Sequence, residues 1–371
     1  MINNNKVAII GSGISGLSTA YILQKEGWEV TIISKDDPRT SPLKPDFSSL
    51  YPAASIVPHS VFSDNLLSIF KKSRDHFQYL YDLQFPGIHI YEHFELFAAD
   101  NIPLPNYAPL LNDLQSWNMF EDHFYPRHPD IPVQSGWKFD CFFADWALYF
   151  PALIDLVFSN GVNFELRELT AENLTRLPYD IIINCSELGS VGLFGDDHGL
   201  IYRGHILQVC DAPPLISPSG NIVSYNFSPG TDVYASESGE PQDVYCYPRS
   251  DGWVLGGSRQ KGRLDNDGHW TGEETISPFS IIGDVKVPAQ ILQLHSEIIQ
   301  HSFGISTDDQ QKLTAKMGYR YIRKEENGLR LETEEMDDKL IIHNYGHGGA
   351  GVTLSWGCGL KAAQLLDEYS N

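Results

Sequence analysis

Gly11-Ser12-Gly13-Ile14-Ser15-Gly16 spaces three glycines as GxGxxG. In this pattern the first glycine permits a tight turn, the second lets the backbone approach a pyrophosphate, and the third lets a helix lie close to a strand. A helix opening at that point offers free N–H groups and a partial positive charge to the phosphates. The context supports the reading. Residues 7–10 are a short apolar run ending at glycine, as a buried parallel strand would be. Ile14, Leu17, Tyr21, Ile22 and Leu23 then recur at helical spacing until Gly27. Residues 29–33 read as a second strand, broken by 36–38, so the chain opens on a βαβ unit. The acidic residue that usually ends the second strand is replaced by Ser34, Lys35 and Asp36. Asp36 remains within reach of a ribose hydroxyl, whereas Lys35 suits a 2′-phosphate. The motif alone leaves FAD and NAD(P) open.

The second chemically suggestive run is His343-Asn344-Tyr345-Gly346-His347-Gly348-Gly349-Ala350-Gly351. Two histidines four apart can bind a metal from one helix face, but glycines around them indicate a loop, and no HExxH occurs. No third ligand stands at metal-site spacing, so no metal is expected.

The elements that position these residues come from separate parts of the chain. Residues 146–158 read as a helix, 164–166 and 180–184 as strands, and 352–369 as a C-terminal helix. Residues 56–139 and roughly 200–313 are rich in proline, aromatics and short alternating runs, the pattern of an antiparallel sheet. Residues 253–255, ending at Gly256–Gly257, read as one of its strands. Residues 217–242 are poor in apolar side chains and read as a mobile loop or lid.

With 371 residues, 42% of them hydrophobic and 20% charged, the chain suits two globular domains. A net charge of -22 disfavours nucleic acid and anionic lipid as partners. Five scattered cysteines without a CxxC pair suit a reducing compartment. The N-terminus has no signal-peptide pattern, no run of about 18 apolar residues exists, and the C-terminal Tyr369-Ser370-Asn371 is not a peroxisomal address. A cytoplasmic protein is expected.

The run 343–351, followed by Val352, Thr353 and Trp356, resembles the D-amino-acid oxidase family. Other pieces agree in order. Gly318-Tyr319-Arg320 is similar to the family's GFR. Residues 202–206 with Asp211-Ala212-Pro213 are similar to its RGQI…DAP. Asn184-Cys185-Ser186 resembles its NCT, and residues 47–58 its small-residue stretch beside the flavin. Ser34-Lys35-Asp36 is similar to the Ala-Arg-Asp ending of fungal members. The resemblance implies an α/β protein, α+β overall, with a Rossmann-type FAD-binding domain (1–55, 140–200 and 314–371). The inserted substrate domain (56–139 and 201–313) would be built on a mixed, largely antiparallel sheet. It implies FAD contacts from Gly11 to Gly16, Ser34, Lys35, Asp36, Ser48, Ser49, Ala53, Ala54, Ser55, Leu169, Ser186, Gly346 and Gly348 to Thr353.

The implied reaction is hydride transfer from the substrate Cα to flavin N5. The imine hydrolyses to a 2-oxo acid and ammonia, and dioxygen reoxidises the flavin to give hydrogen peroxide. Arg320 matches the family's carboxylate clamp, a role its planar donor fork suits. Tyr245 matches the tyrosine that also touches the carboxylate, and the Gly349 carbonyl is the expected acceptor for the substrate amine. Residues 256–262 resemble the GGTRQKG of D-aspartate oxidases, which makes Arg259 a candidate partner for an acidic side chain; solvent exposure is the ordinary alternative. The substrate would be a small amino acid, and a homodimer is left open. Two positions depart from the pattern. Pro241 replaces a second active-site tyrosine, and Glu187 stands where glycine is usual. A glycine- or sarcosine-type oxidase, an NAD(P)-dependent dehydrogenase and a flavin-binding protein without catalysis stay as alternatives.

Overall fold

The computed structural model describes residues 5–52, 54–265, 268–307, 312–324 and 326–370. Ala53, one of the expected cofactor contacts, lies outside them.

Two sheets organise the chain. The first has six strands in the order Arg330–Met336, Lys339–Tyr345, Ile181–Asn184, Lys6–Ile10, Glu29–Ser34 and Asn163–Leu166. All are parallel except the edge strand Arg330–Met336. Val7 and Ile9 enter one core cluster, Ala8 and Ile10 another on the opposite face. A strand covered on both sides needs a continuous apolar run, not alternation. The larger cluster joins this sheet to helices Ile14–Lys25, Leu66–Asp82, Trp146–Ser159 and Gly351–Ser370 through Leu17, Phe70, Phe77, Leu153 and Trp356.

The second sheet has eleven strands and is mixed. Its path runs Trp270–Gly272, Gln260–Leu264, Gly199–Cys210, Gly252–Gly256, Val244–Arg249, Val223–Ser228, Ile88–Phe97, Ser135–Ala144 and Ala54–Ser55. Leu313–Arg323 pairs with Gly199–Cys210, and Asn112–Ser116 with Ser135–Ala144. Val223–Ser228 and Ile88–Phe97 run parallel; the other pairs are antiparallel. Side chains alternate between its faces. Phe94, Leu96, Tyr225, Phe227, Val244 and Cys246 pack outward with Ile291, Leu294 and Ile298 of helix Ala289–Phe303. Between them Glu95, Phe97, Asn226, Ser228, Tyr245 and Tyr247 face a cavity.

Part of the expected loop at 217–242 is therefore a strand. Val223 and Tyr225 are fully buried, as is nearly all of Phe227. Of the polar residues that alternate with them, Asn226 and Ser228 line the cavity and Ser224 bonds to buried His93, which is why the segment looks poor in apolar residues. Arg320 lies on Leu313–Arg323, a strand of the larger sheet. No helix among the described residues is long and apolar enough to cross a membrane.

Candidate active site

A channel of about 590 Å³ runs along the C-terminal ends of the parallel strands, and a chamber of about 480 Å³ adjoins it. Ile14, Ser48, Ser49, Gly348 and Gly351 line both.

The channel is built largely from backbone and small side chains. Gly11, Ser12, Gly13, Ile14 and Ser15 line it at the turn from the first strand into the first helix. Gly11 has φ +103°, and a Cβ there would sit 2.6 Å from the Cys185 carbonyl oxygen. Gly16 does not line the channel. It packs on the carbonyl of Gly11, where any side chain would collide. Gly13 precedes the helix without a side chain to cap it, so first-turn N–H groups stay unsatisfied, apart from that of Ile14, which donates to Ser49 Oγ at 3.0 Å. Ser34, Lys35, Asp36, Leu169 and Ser186 complete the expected channel contacts. Ser12 Oγ donates to the Asp36 carbonyl at 2.7 Å and ties the glycine turn to the second strand. Lys35 Nζ pairs with Asp46 at 2.6 Å and Asp36 pairs with Lys44, so Lys35 is not a free cation. A long channel at a helix N-terminus, with Lys35 and Asp36 each neutralised by an ion pair, fits a pyrophosphate-bridged dinucleotide.

Glu187, the odd carboxylate, has φ +49°. Its Oε2 accepts the Gly346 N–H at 3.0 Å and lies 3.2 Å from His347 Nδ1. Gly346 thus supports the wall instead of lining it, and Ala350 is fully buried. His343 contacts Asn184 and Glu334 instead of converging with His347.

The chamber is lined by Ala54, Ser55, Tyr245, Arg259, Arg320, Gly348, Gly349, Gly351, Val352 and Thr353, among others. Each clamp candidate lies over a glycine of the neighbouring strand. Tyr245 is paired directly with Gly256, and a side chain at 256 would overlap the tyrosine ring. A Cβ on Gly204 would fall 2.5 Å from an Arg320 guanidinium nitrogen. Burial pushes the Tyr245 hydroxyl pKa up, against the opposing pull of Arg320. Among the described residues Arg320 has no carboxylate at ion-pair distance; its guanidinium reaches the Tyr245 hydroxyl and the Ser258 carbonyl, the latter at 3.5 Å.

Arg259 lines the same chamber but is ion-paired with Asp243. Pro241 is exposed, and its carbonyl accepts from Arg259 at 3.4 Å.

The chamber also holds a network that the sequence did not disclose. Glu95, 4% exposed, accepts from Asn226 Nδ2 at 2.9 Å, with His59 Nε2 at 2.8 Å and His93 Nε2 at 3.1 Å. Tyr247 donates to Asn226 at 2.9 Å and accepts from Ser55 at 3.0 Å. Burial would raise the Glu95 pKa, but the charge and hydrogen bonds of His59 and His93 hold it at about 2. The same pairing raises His59 against its own burial. The cue available in the sequence was period-two alternation, which puts Glu95, Asn226 and Tyr245 side by side in register across three strands.

Comparison with known proteins agrees with this geometry. The family model described as FAD dependent oxidoreductase (DAO) matches residues 6–365. A D-amino-acid oxidase of Rubrobacter xylanophilus is 26% identical over 97% of this chain and 95% of its own. A D-aspartate oxidase of Homo sapiens is 27% identical over 98% and 95%. The crystal structure of glycine oxidase from Geobacillus kaustophilus superposes with a TM-score of 0.61 at 16% identity, covering 98% of this chain and 94% of that one. The chain belongs to the DAO family of FAD-dependent oxidoreductases, and its cofactor is FAD.

Proposed function

We propose that this enzyme oxidatively deaminates a D-amino acid. Hydride leaves Cα, the imine hydrolyses to a 2-oxo acid and ammonia, and dioxygen serves as final acceptor with hydrogen peroxide as the second product. The observation that carries the reading is the convergence of Arg320, free of any carboxylate among the described residues, and Tyr245 on a chamber adjoining the dinucleotide channel. Bound FAD supplies the hydride acceptor.

In this reading residues 11–15 hold the pyrophosphate, residues 34–36 the adenosine ribose, and Ser48, Ser49, Ala54, Ser55, Gly348, Gly349 and Gly351 to Thr353 flank the ring system. Arg320 and Tyr245 grip the α-carboxylate, and the Gly349 carbonyl accepts from the amine. These groups orient the substrate and hold no proton in transit; their contribution is positioning. The six-stranded sheet with its helices then forms the FAD domain and the eleven-stranded sheet the substrate domain. The five cysteines, all free, suit a cytoplasmic setting. The D configuration rests on relatives named as D-amino-acid and D-aspartate oxidases.

An acidic side chain is the second reading, favoured by Arg259 in the chamber wall. Such a side chain reaches the guanidinium only by displacing Asp243. The test is a panel of D- and L-amino acids under air, read as peroxide and ammonia in equal amounts. Turnover of D-substrates supports the reading, and turnover of L-amino acids or glycine alone sinks it.

A further inference from the structure

Besides its tyrosines, the chamber wall carries two arginines, two carboxylates and a histidine whose pairing decides what it accepts: Arg320, Arg259, Asp243, Glu95 and His59. Glu95 is engaged by His59, His93 and Asn226. Asp243 is engaged by Arg259. Arg320 is the cation left over.

Asp243 does not meet Arg259 by chance of a flexible loop. It immediately precedes the strand Val244–Arg249, two residues before Tyr245, and lines the same chamber. Its carbonyl oxygen lies 2.6 Å from where a side chain on Gly257 would begin, so the backbone at Asp243 is packed tightly on the 257–259 connection that carries Arg259. The Arg259 backbone N–H donates to Gln242 Oε1 at 2.6 Å, and the Gln242 side chain donates back to the Pro241 carbonyl at 3.1 Å. The carboxylate is thereby delivered to the guanidinium from a fixed backbone.

We propose that Asp243 is a specificity-determining residue: it occupies Arg259 from within the chain, so that the chamber takes amino acids carrying one carboxylate and disfavours D-aspartate and D-glutamate. A second substrate carboxylate must either stay unpaired beside Asp243 or evict it, and each outcome leaves one negative charge without its cation at a half-buried site. Rejection through an unpaired charge is a common source of selectivity. The inference rests on the proposed role of this chamber as the amino-acid site.

Its test uses the FAD-loaded enzyme and two acids of matched length, butyrate and succinate. Binding is read as the shift of the bound flavin's absorption and by calorimetry, without turnover. The wild-type enzyme is expected to bind butyrate at least about tenfold more tightly than succinate, the scale of one charge-assisted hydrogen bond. Asp243→Asn should move the ratio of the two Kd values toward succinate by about tenfold or more. Adding Arg259→Leu should cancel that gain. Asp243→Ser gives the same readout should the Asn variant lose its flavin. A ratio that stays put in the Asp243 variants, or wild-type preference for succinate, overturns the inference alone. Failure of both acids to perturb the flavin in any variant overturns the chamber assignment and this inference with it.

Discussion

The channel and the chamber sit side by side and are made from opposite materials. The channel is a backbone object: a glycine turn, an uncapped helix start and small side chains. The chamber is a side-chain object: tyrosines, two arginines, a buried carboxylate and its histidines, set by strand register. Backbone sites fail when a Cβ is added, and they fail completely. Side-chain sites fail one interaction at a time and leave the cofactor in place.

The largest expected effect lies in the channel. Gly11→Val places a branched side chain at φ +103° against the Cys185 carbonyl, a conformation L-residues rarely adopt. The variant should purify without flavin, with no absorption near 450 nm and a lowered Tm. Retention of FAD at wild-type occupancy would break the comparison. Arg320→Leu should do the reverse. FAD stays bound with an unaltered yield, while kcat/KM falls by roughly 10²- to 10³-fold, the cost of losing one partner of a desolvated charge pair. A drop of less than tenfold would remove Arg320 from the clamp.

The same contrast explains what the sequence disclosed. Parallel strands buried on both faces are continuous apolar runs, so residues 7–10 and 181–184 are legible as they stand. The glycine turn is legible because its chemistry is written in one contiguous hexapeptide. Arg320 and Tyr245 were found only through resemblance; nothing in their own neighbourhoods singles them out. Glu95, His59, Asn226 and Tyr247 were missed because each is one polar residue in a half-buried strand or turn. Whether it faces solvent or a cavity depends on partners from about twenty to nearly two hundred positions away. Val223–Ser228 was misread for that reason: VSYNFS counts as weakly apolar, yet its outward half is core and its inward half is chamber wall. The helices Leu66–Asp82 and Ala289–Phe303 went unread within segments dominated by proline and aromatics.

Acid should sharpen the comparison further, because the chamber side buries a carboxylate and several histidines whose protonation is shifted. Burial lowers His295 to about 4 and His205 to about 3. A group whose folded pKa lies below its unfolded value takes up protons more readily when unfolded, so stability is lost as pH falls. These histidines therefore weaken the fold between pH 6.5 and about 4. Glu95, held at about 2 against an unfolded 4.5, contributes fully above 4.5 and loses its contribution as pH falls toward 2. His59 has the opposite sign: its raised pKa stabilises below 6.5 and fades as pH rises through the folded value. Glu95→Gln should cost about 2–3 kcal/mol at neutral pH, since it leaves His59 and His93 without their anion. It should also flatten the Tm–pH curve between pH 4.5 and about 2, leaving the histidine-driven loss above that range in place. An unchanged slope between pH 4.5 and about 2 would assign that loss to other carboxylates.

The smallest expected effect returns to the channel, at its side-chain-built end. Asp36 lines the channel and pairs with Lys44, with side-chain exposures of 13% and 31%. Exposed pairs of this kind contribute about 0–1 kcal/mol, and a ribose hydroxyl contact is shared with water. Asp36→Asn should therefore raise the Kd for FAD by only about two- to fivefold, measured by flavin fluorescence on reconstitution. Ser12 should hardly notice, because its hydroxyl is anchored to the Asp36 backbone carbonyl and not to the carboxylate. A loss of a hundredfold or more would mean that this end of the channel depends on a charged side chain as strongly as the chamber does. The division between a backbone-built cofactor site and a side-chain-built substrate site would then stop at the glycine turn.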